Sequence, residues 1–235
     1  MQQNAMMQRS KIFPIVLAVA ALGLALDPFL ILRAPTEPSM GFVQRIFYYH
    51  VPSAWLTFLS VFVCAAASVG VLVKRSRRWE GIADAAAELT VVFGLCVLVT
   101  GPLWARKAWG VWWVWKDVRL MTTLLLWLIF VAYLLVRRFG GPGSAKLAAA
   151  LAIFAAADVP IIYTSVFFWR TQHPKATVVT SLDPAMVPPF LLGLATFTVL
   201  YIALMWMRVG LARLRDALED THLAADDADL LEDHR

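Results

Sequence analysis

Apolar residues in this chain fall into six long blocks divided by short polar stretches, with little of the strict alternation that marks half-buried strands. The blocks cover residues 12–32, 54–73, 85–104, 120–136, 147–169 and 186–207. At about 1.5 Å of helical rise per residue, each is long enough, or nearly so, to cross a hydrocarbon core of about 30 Å. Glu88 lies near the start of the third block, and Asp158 and Pro160 interrupt the fifth. The pattern predicts an all-α integral membrane protein, a bundle of six transmembrane helices. The first block follows Arg9 and Lys11, as a signal peptide would. A signal's apolar region spans only about 7–15 residues and ends at a small-residue cleavage site. This block runs on to Arg33 and a proline-rich segment at 34–38, so it reads as a retained helix.

Composition narrows the class further. Of 235 residues 60% are hydrophobic and 16% charged, against about 45–50% and about 25% in soluble domains. A soluble enzyme, a nucleic-acid binder and a disordered chain are all excluded as first readings. The net charge of +5 then bears on orientation, because Lys and Arg concentrate in cytoplasmic loops. One side collects Arg9, Lys11, Lys74, Arg75, Arg77, Arg78, Arg137, Arg138, Lys146, Arg208, Arg213, Arg215 and Arg235; the other holds Arg33, Arg45, Arg106, Lys107, Lys116, Arg119, Arg170 and Lys175. The bias places both termini in the cytoplasm. Residues 1–207 read as one transmembrane domain and 208–235 as a cytoplasmic tail, basic and then acidic, off the membrane and without a site. No internal repeat is visible. Cys64 and Cys96 sit in apolar runs without a Cys-x-x-Cys pair, so they read as small buried hydrophobes rather than a redox couple.

The chemistry gathers on the outer side. His222 and His234 belong to the solvated tail, whereas His50 precedes Val51-Pro52-Ser53, which reads as the opening of the second helix. His173 follows the fifth helix in Trp169-Arg170-Thr171-Gln172-His173-Pro174-Lys175. Both histidines therefore stand at outer helix ends. Between them in sequence, residues 104–119 carry Trp104, Trp109, Trp112, Trp113 and Trp115, five of the ten tryptophans. Membrane interfaces enrich tryptophan, but five on one connection suggest a broad apolar platform along the membrane surface. Two imidazoles, an indole platform and nearby cations suit haem: iron takes two axial imidazoles and the porphyrin packs on aromatic faces. The propionates would take Arg45, Arg106, Lys107, Arg119, Arg170 or Lys175 as partners. Without Cys-x-x-Cys-His, the haem would be held non-covalently.

The segment Trp104-Ala105 through Trp109-Gly110-Val111-Trp112-Trp113-Val114-Trp115 and Asp117-Val118-Arg119-Leu120 resembles the tryptophan-rich, Asp-terminated (WWD-type) motif of haem-handling proteins in cytochrome c maturation. His50-Val51-Pro52-Ser53-Ala54-Trp55 and Trp169-Arg170-Thr171-Gln172-His173 resemble the two flanking histidine segments. With six helices, the chain is similar to the haem exporter protein C (CcmC) family. The resemblance covers about residues 40–200. It implies haem b bound without covalent attachment at the outer face of the bacterial inner membrane. It also implies delivery to a membrane-anchored haem chaperone, CcmE, alongside the ABC-type pair CcmA and CcmB and a small helper, CcmD. His50 and His173 would inherit the axial-ligand roles. Trp109, Gly110, Trp112, Trp113, Trp115 and Asp117 would inherit the haem-platform and chaperone-contact roles. The family's Asp directly follows the last Trp; here Lys116 intervenes, so either the loop has one extra residue or the Asp role has moved.

Two other classes compete. A dihaem redox anchor needs histidine pairs on facing helices within the bilayer, and a haem transporter proper needs a polar path through it. His50 and His173 lie at one surface with no second pair, and Asp158, read as a structural companion of Pro160, is the one charge at depth, so neither gains support. No nucleophile–base–acid set is visible, so the expected role is assembly and delivery, with at most a lyase-like part in haem attachment.

Overall fold

The computed structural model describes residues 2–169, 171–174 and 181–233, with side chains from residue 11 to 226. The regular structure is helical: α1 (Gln2–Arg33), α2 (Phe47–Lys74), α3 (Arg77–Trp109), α4 (Val118–Phe139), α5 (Ser144–Ala156), α6 (Asp158–Phe168) and α7 (Val187–Asp233). Short 3-10 turns, Phe42–Ile46 and Pro184–Met186, lead into α2 and α7. Six stretches are long and apolar enough to cross a membrane: Lys11–Arg33, Phe42–Lys74, Arg77–Trp109, Val118–Phe139, Ser144–Phe168 and Pro184–Asp226. This is a multi-pass membrane protein, and the six predicted spans are the six observed.

Their ends differ from the hydropathy pattern for local reasons. Helix α2 begins at Phe47, so His50 lies in its first turn and Pro52 is the sixth helical residue rather than the opening one. Pro52 has no N–H to give the Tyr48 carbonyl four residues back, and one lost bond near a helix start is tolerable. Ser53 Oγ donates to the Tyr49 carbonyl at 2.7 Å. The polar 74–84 stretch is mostly helix, with only Arg75 and Ser76 between α2 and α3. Its two carboxylates, Glu80 and Asp84, are paired across the bundle. Arg137 donates to both Asp84 oxygens and to Glu80 at 2.8–3.1 Å, Tyr133 donates to Asp84 at 2.8 Å, and Arg208 pairs with Glu88.

The fifth span breaks at Ala157 into α5 and α6. Pro160 cannot bond the carbonyl of Ala156 and would clash with it, while Asp158 opens α6, where a carboxylate faces the positive end of the helix dipole. Helix α7 passes Met207 unbroken to Asp233, so the charged tail prolongs the last span as helix. His234 and Arg235 lie outside the described residues.

Lipid offers helices no hydrophobic reason to associate, so close packing of small residues does the work. Ala83, Ala86 and Ala87 of α3 and Ala148, Ala152 and Ala155 of α5 are buried with Val61, Cys64 and Ala67 of α2 and Leu126, Phe130 and Tyr133 of α4. Leu22, Phe62, Val99, Leu128 and Leu135 point outward, as lipid-facing side chains should. The Arg137–Asp84 ion pairs mark one end of this bundle, and His50 and the tryptophan loop mark the other.

Candidate functional site

Helices α2, α3, α4 and α6 enclose a cavity of about 400 Å³ at the tryptophan end, within the roughly 300–1,000 Å³ that small-molecule sites occupy. Its floor forms where Gly94 of α3 lets the Trp127 indole close in; a Cβ there would meet Trp127 Cδ1 at 2.9 Å. Trp127 Nε1 donates to the Val91 carbonyl at 2.9 Å, fixing α4 to α3. Above this floor the walls are almost wholly apolar, and Trp104, Trp109, Trp112 and Trp113 are among them. Trp104 and Trp109 meet edge to face at 5.7 Å between ring centres, a favourable geometry for indoles. The polar exceptions include His50, His173 and Arg119.

The two histidines, 123 positions apart in sequence, come together with ring centres 6.5 Å apart and planes 33° from parallel. A metal ion held between two opposed imidazoles, at about 2 Å per metal–nitrogen bond, sets the ring centres roughly 6 Å apart. Each Nδ1 already has a partner: Thr100 Oγ1 for His50 and the Pro174 carbonyl for His173, both at 2.8 Å. The carbonyl can only accept, so His173 carries its proton on Nδ1 and leaves Nε2 as a free lone pair. Burial, reinforced by the Arg119 guanidinium, pushes the His173 imidazole down to about 4. It is therefore neutral and able to ligate at pH 7.

Asp117 fixes the loop that carries His173. It is 2% exposed and caps α4 by accepting from Leu120 N at 3.1 Å through Oδ1. Its Oδ2 accepts from Thr171 Oγ1 at 2.7 Å and Gln172 N at 2.8 Å. Thr171 Oγ1 in turn accepts from His173 N at 3.2 Å. One buried carboxylate thus ties the tryptophan connection to the histidine loop.

Comparison with known proteins meets this geometry. Residues 2–228 match the family described as "Heme exporter protein C". The chain belongs to that family. It is similar to heme exporter protein C of Bradyrhizobium diazoefficiens, 34% identical over 83% of this chain and 76% of the relative. It is also similar to that of Escherichia coli K12, 33% identical over 75% and 73%, and to that of Haemophilus influenzae, 32% identical over 78% and 76%.

Within this heme exporter family member, not every residue singled out by sequence reaches the cavity. Arg119 does, and its Nη1 is buried with no hydrogen-bond partner among the described residues, as is Trp113 Nε1. Arg45 instead turns to the end of α1, donating to the Ile31 and Leu32 carbonyls at 3.2 Å. Gly110 ends α3 in the left-handed region, φ +75°, where a side chain would be strained; its carbonyl accepts from Arg106. Trp115 is 70% exposed and packs edge-on against Trp113 at 6.2 Å. Lys107 and Lys116 are exposed and off the cavity wall. Arg170 and Lys175 lie outside the described residues.

Sequence reasoning missed three residues. Thr100 backs His50; the signal was a hydroxyl beside Gly101-Pro102 on the helix leading into the tryptophans. Thr171 bridges Asp117 and His173, which no local pattern announces. Asp27 is a second carboxylate within an apolar span besides Asp158. It is 1% exposed, beside Gly193 and the Tyr48 carbonyl, with both oxygens unpartnered among the described residues.

Proposed function

We propose that this chain binds haem b, without a covalent bond, in the cavity beneath the tryptophan loop, and presents it for cytochrome c maturation. The observation that carries this is the pair of imidazoles on the cavity wall, with ring centres 6.5 Å apart, near the spacing for one iron, and each with a partner on Nδ1. His50 and His173 supply the axial ligands. Trp104, Trp109, Trp112 and Trp113 would pack against the porphyrin, and Arg119, whose Nη1 has no hydrogen-bond partner among the described residues, would receive a propionate. Cavity and loop face outward from the bacterial inner membrane, with both termini in the cytoplasm, in keeping with the distribution of Lys and Arg. Binding two imidazoles to the iron suppresses oxygen chemistry while an edge of the macrocycle stays open to an acceptor. His50 is set in a helix and His173 in a loop held by Asp117, and release would require loosening that pair. The acceptor is the haem chaperone CcmE, with CcmA, CcmB and CcmD as partners and exposed Trp115 on the docking side. The role is read as haem delivery, with at most a lyase-like part in attaching haem to the chaperone.

The test is the visible spectrum of the detergent-purified chain beside His50→Ala and His173→Ala. A low-spin Soret spectrum in the parent, lost or turned high-spin in each variant, is expected. A colourless parent from haem-sufficient cells rejects haem binding; pigment unchanged by either variant rejects the ligand pair.

A further inference from the structure

A histidine ligand is only as good as its tautomer: the metal needs the lone pair of one ring nitrogen, and the hydrogen bond on the other decides which nitrogen that is. For His173 the Pro174 carbonyl makes that choice. For His50 the partner is a hydroxyl, Thr100 Oγ1, which could in principle donate or accept. The surroundings decide it. Thr100 Oγ1 lies 2.6 Å from the Cys96 carbonyl one turn back in α3, and a carbonyl can only accept. The hydroxyl has one proton, and that short bond uses it. What Thr100 offers His50 is therefore a lone pair, and His50 must donate from Nδ1.

We infer that Thr100 is a positioning residue that locks His50 in the Nδ1–H tautomer, aiming the Nε2 lone pair into the cavity. This rests on the haem reading above for its purpose, although the tautomer itself does not. The ring is also held in orientation. A Cβ built on Gly101 would sit 3.5 Å from His50 Cε1, so the imidazole edge lies directly against the glycine face of α3. The relay Cys96 carbonyl, Thr100 hydroxyl, His50 Nδ1–H also polarises the ring, making Nε2 a stronger donor to a metal. Position 100 thus demands a hydroxyl rather than mere size: Ser preserves the relay, and Val, nearly the same shape, abolishes it.

The test has two arms. In haem-free protein with ¹⁵N-labelled histidine, the His50 resonances are identified by their loss in His50→Ala. The Nδ1–H tautomer is expected in the parent and in Thr100→Ser, and a tautomer mixture in Thr100→Val. In haem titrations of the full chain, Thr100→Val should lose roughly 10–100-fold in affinity, the usual cost of removing such an outer partner, with a raised midpoint potential. Thr100→Ser should stay within about threefold, which separates loss of the hydroxyl from a packing fault. An Nε2–H tautomer in the parent overturns the inference, as does a Thr100→Val protein matching the parent in tautomer and affinity. A parent with the Nδ1–H tautomer that takes up no haem upholds the lock and rejects the haem reading instead.

Discussion

Asp117→Ala separates a carboxylate that touches ligand from one that holds the site together. Its oxygens accept three hydrogen bonds, from Leu120 N, Thr171 Oγ1 and Gln172 N, and none points into the cavity. Losing the α4 cap costs about 1 kcal/mol. The two bonds to the histidine loop are charge-assisted and buried, worth about 1.5–3 kcal/mol each. Once freed, the loop's donors regain water, so only part of this sum opposes binding. A net detachment of about 3 kcal/mol is a reasonable scale, and at about 1.4 kcal/mol per decade it weakens haem binding on the order of 100-fold. The assay is haem titration of the detergent-solubilised chain at the Soret band, with far-ultraviolet circular dichroism to show that the helices persist. Asp117→Asn should fall between, since one amide oxygen can still accept while its NH2 confronts a donor. Thr171→Val should reproduce part of the loss without disturbing the α4 cap. Haem affinity within threefold of the parent for Asp117→Ala would refute the positioning role.

Two further predictions concern charge. Because the His173 imidazole is pushed down to about 4, the folded protein stays neutral there while an unfolded chain would protonate near about 6.5. The sign follows: stability is full above about 6.5, falls as pH drops through the window towards 4, and then levels. Haem retention on a pH titration should accordingly stay flat from pH 8 to about 5.5, and loss centred near 6.5 would contradict the burial argument. At the far end of the bundle, Arg137→Ala strands Asp84 and Glu80, which are 31% and 29% exposed. It should cost about 1–3 kcal/mol, read as a lower Tm in detergent with haem affinity unchanged. Arg137→Lys should recover only part, because an ammonium cannot span both Asp84 oxygens; an unchanged Tm in Arg137→Ala would refute the clasp.

Hydropathy by itself determined the six spans, because a long apolar run in lipid must satisfy its polar backbone groups internally, which a helix does within the segment itself. The tryptophan segment, with His50 and His173, likewise carried the resemblance to the family, because that likeness lies in contiguous motifs that need no tertiary information. Local pattern misplaced the helix ends. It took the charges at 74–84 for a loop because the partners of Glu80, Asp84 and Arg77, namely Arg137 and Asp220, come from α4 and α7 and no window contains both. Only the tertiary structure decided which cations matter. Arg45 and Arg119 look alike as outer arginines, yet one serves the α1 terminus and the other lines the cavity, its Nη1 without a hydrogen-bond partner among the described residues. It also decided what Asp117 does, and that Lys116 points away, since hydrogen bonds between α4 and the histidine loop join residues 54 and 55 positions apart. Thr100 is the sharpest case. A threonine in an apolar helix commonly bonds its own backbone, and only the ring of His50, brought across from α2, turns that ordinary bond into one that fixes a proton.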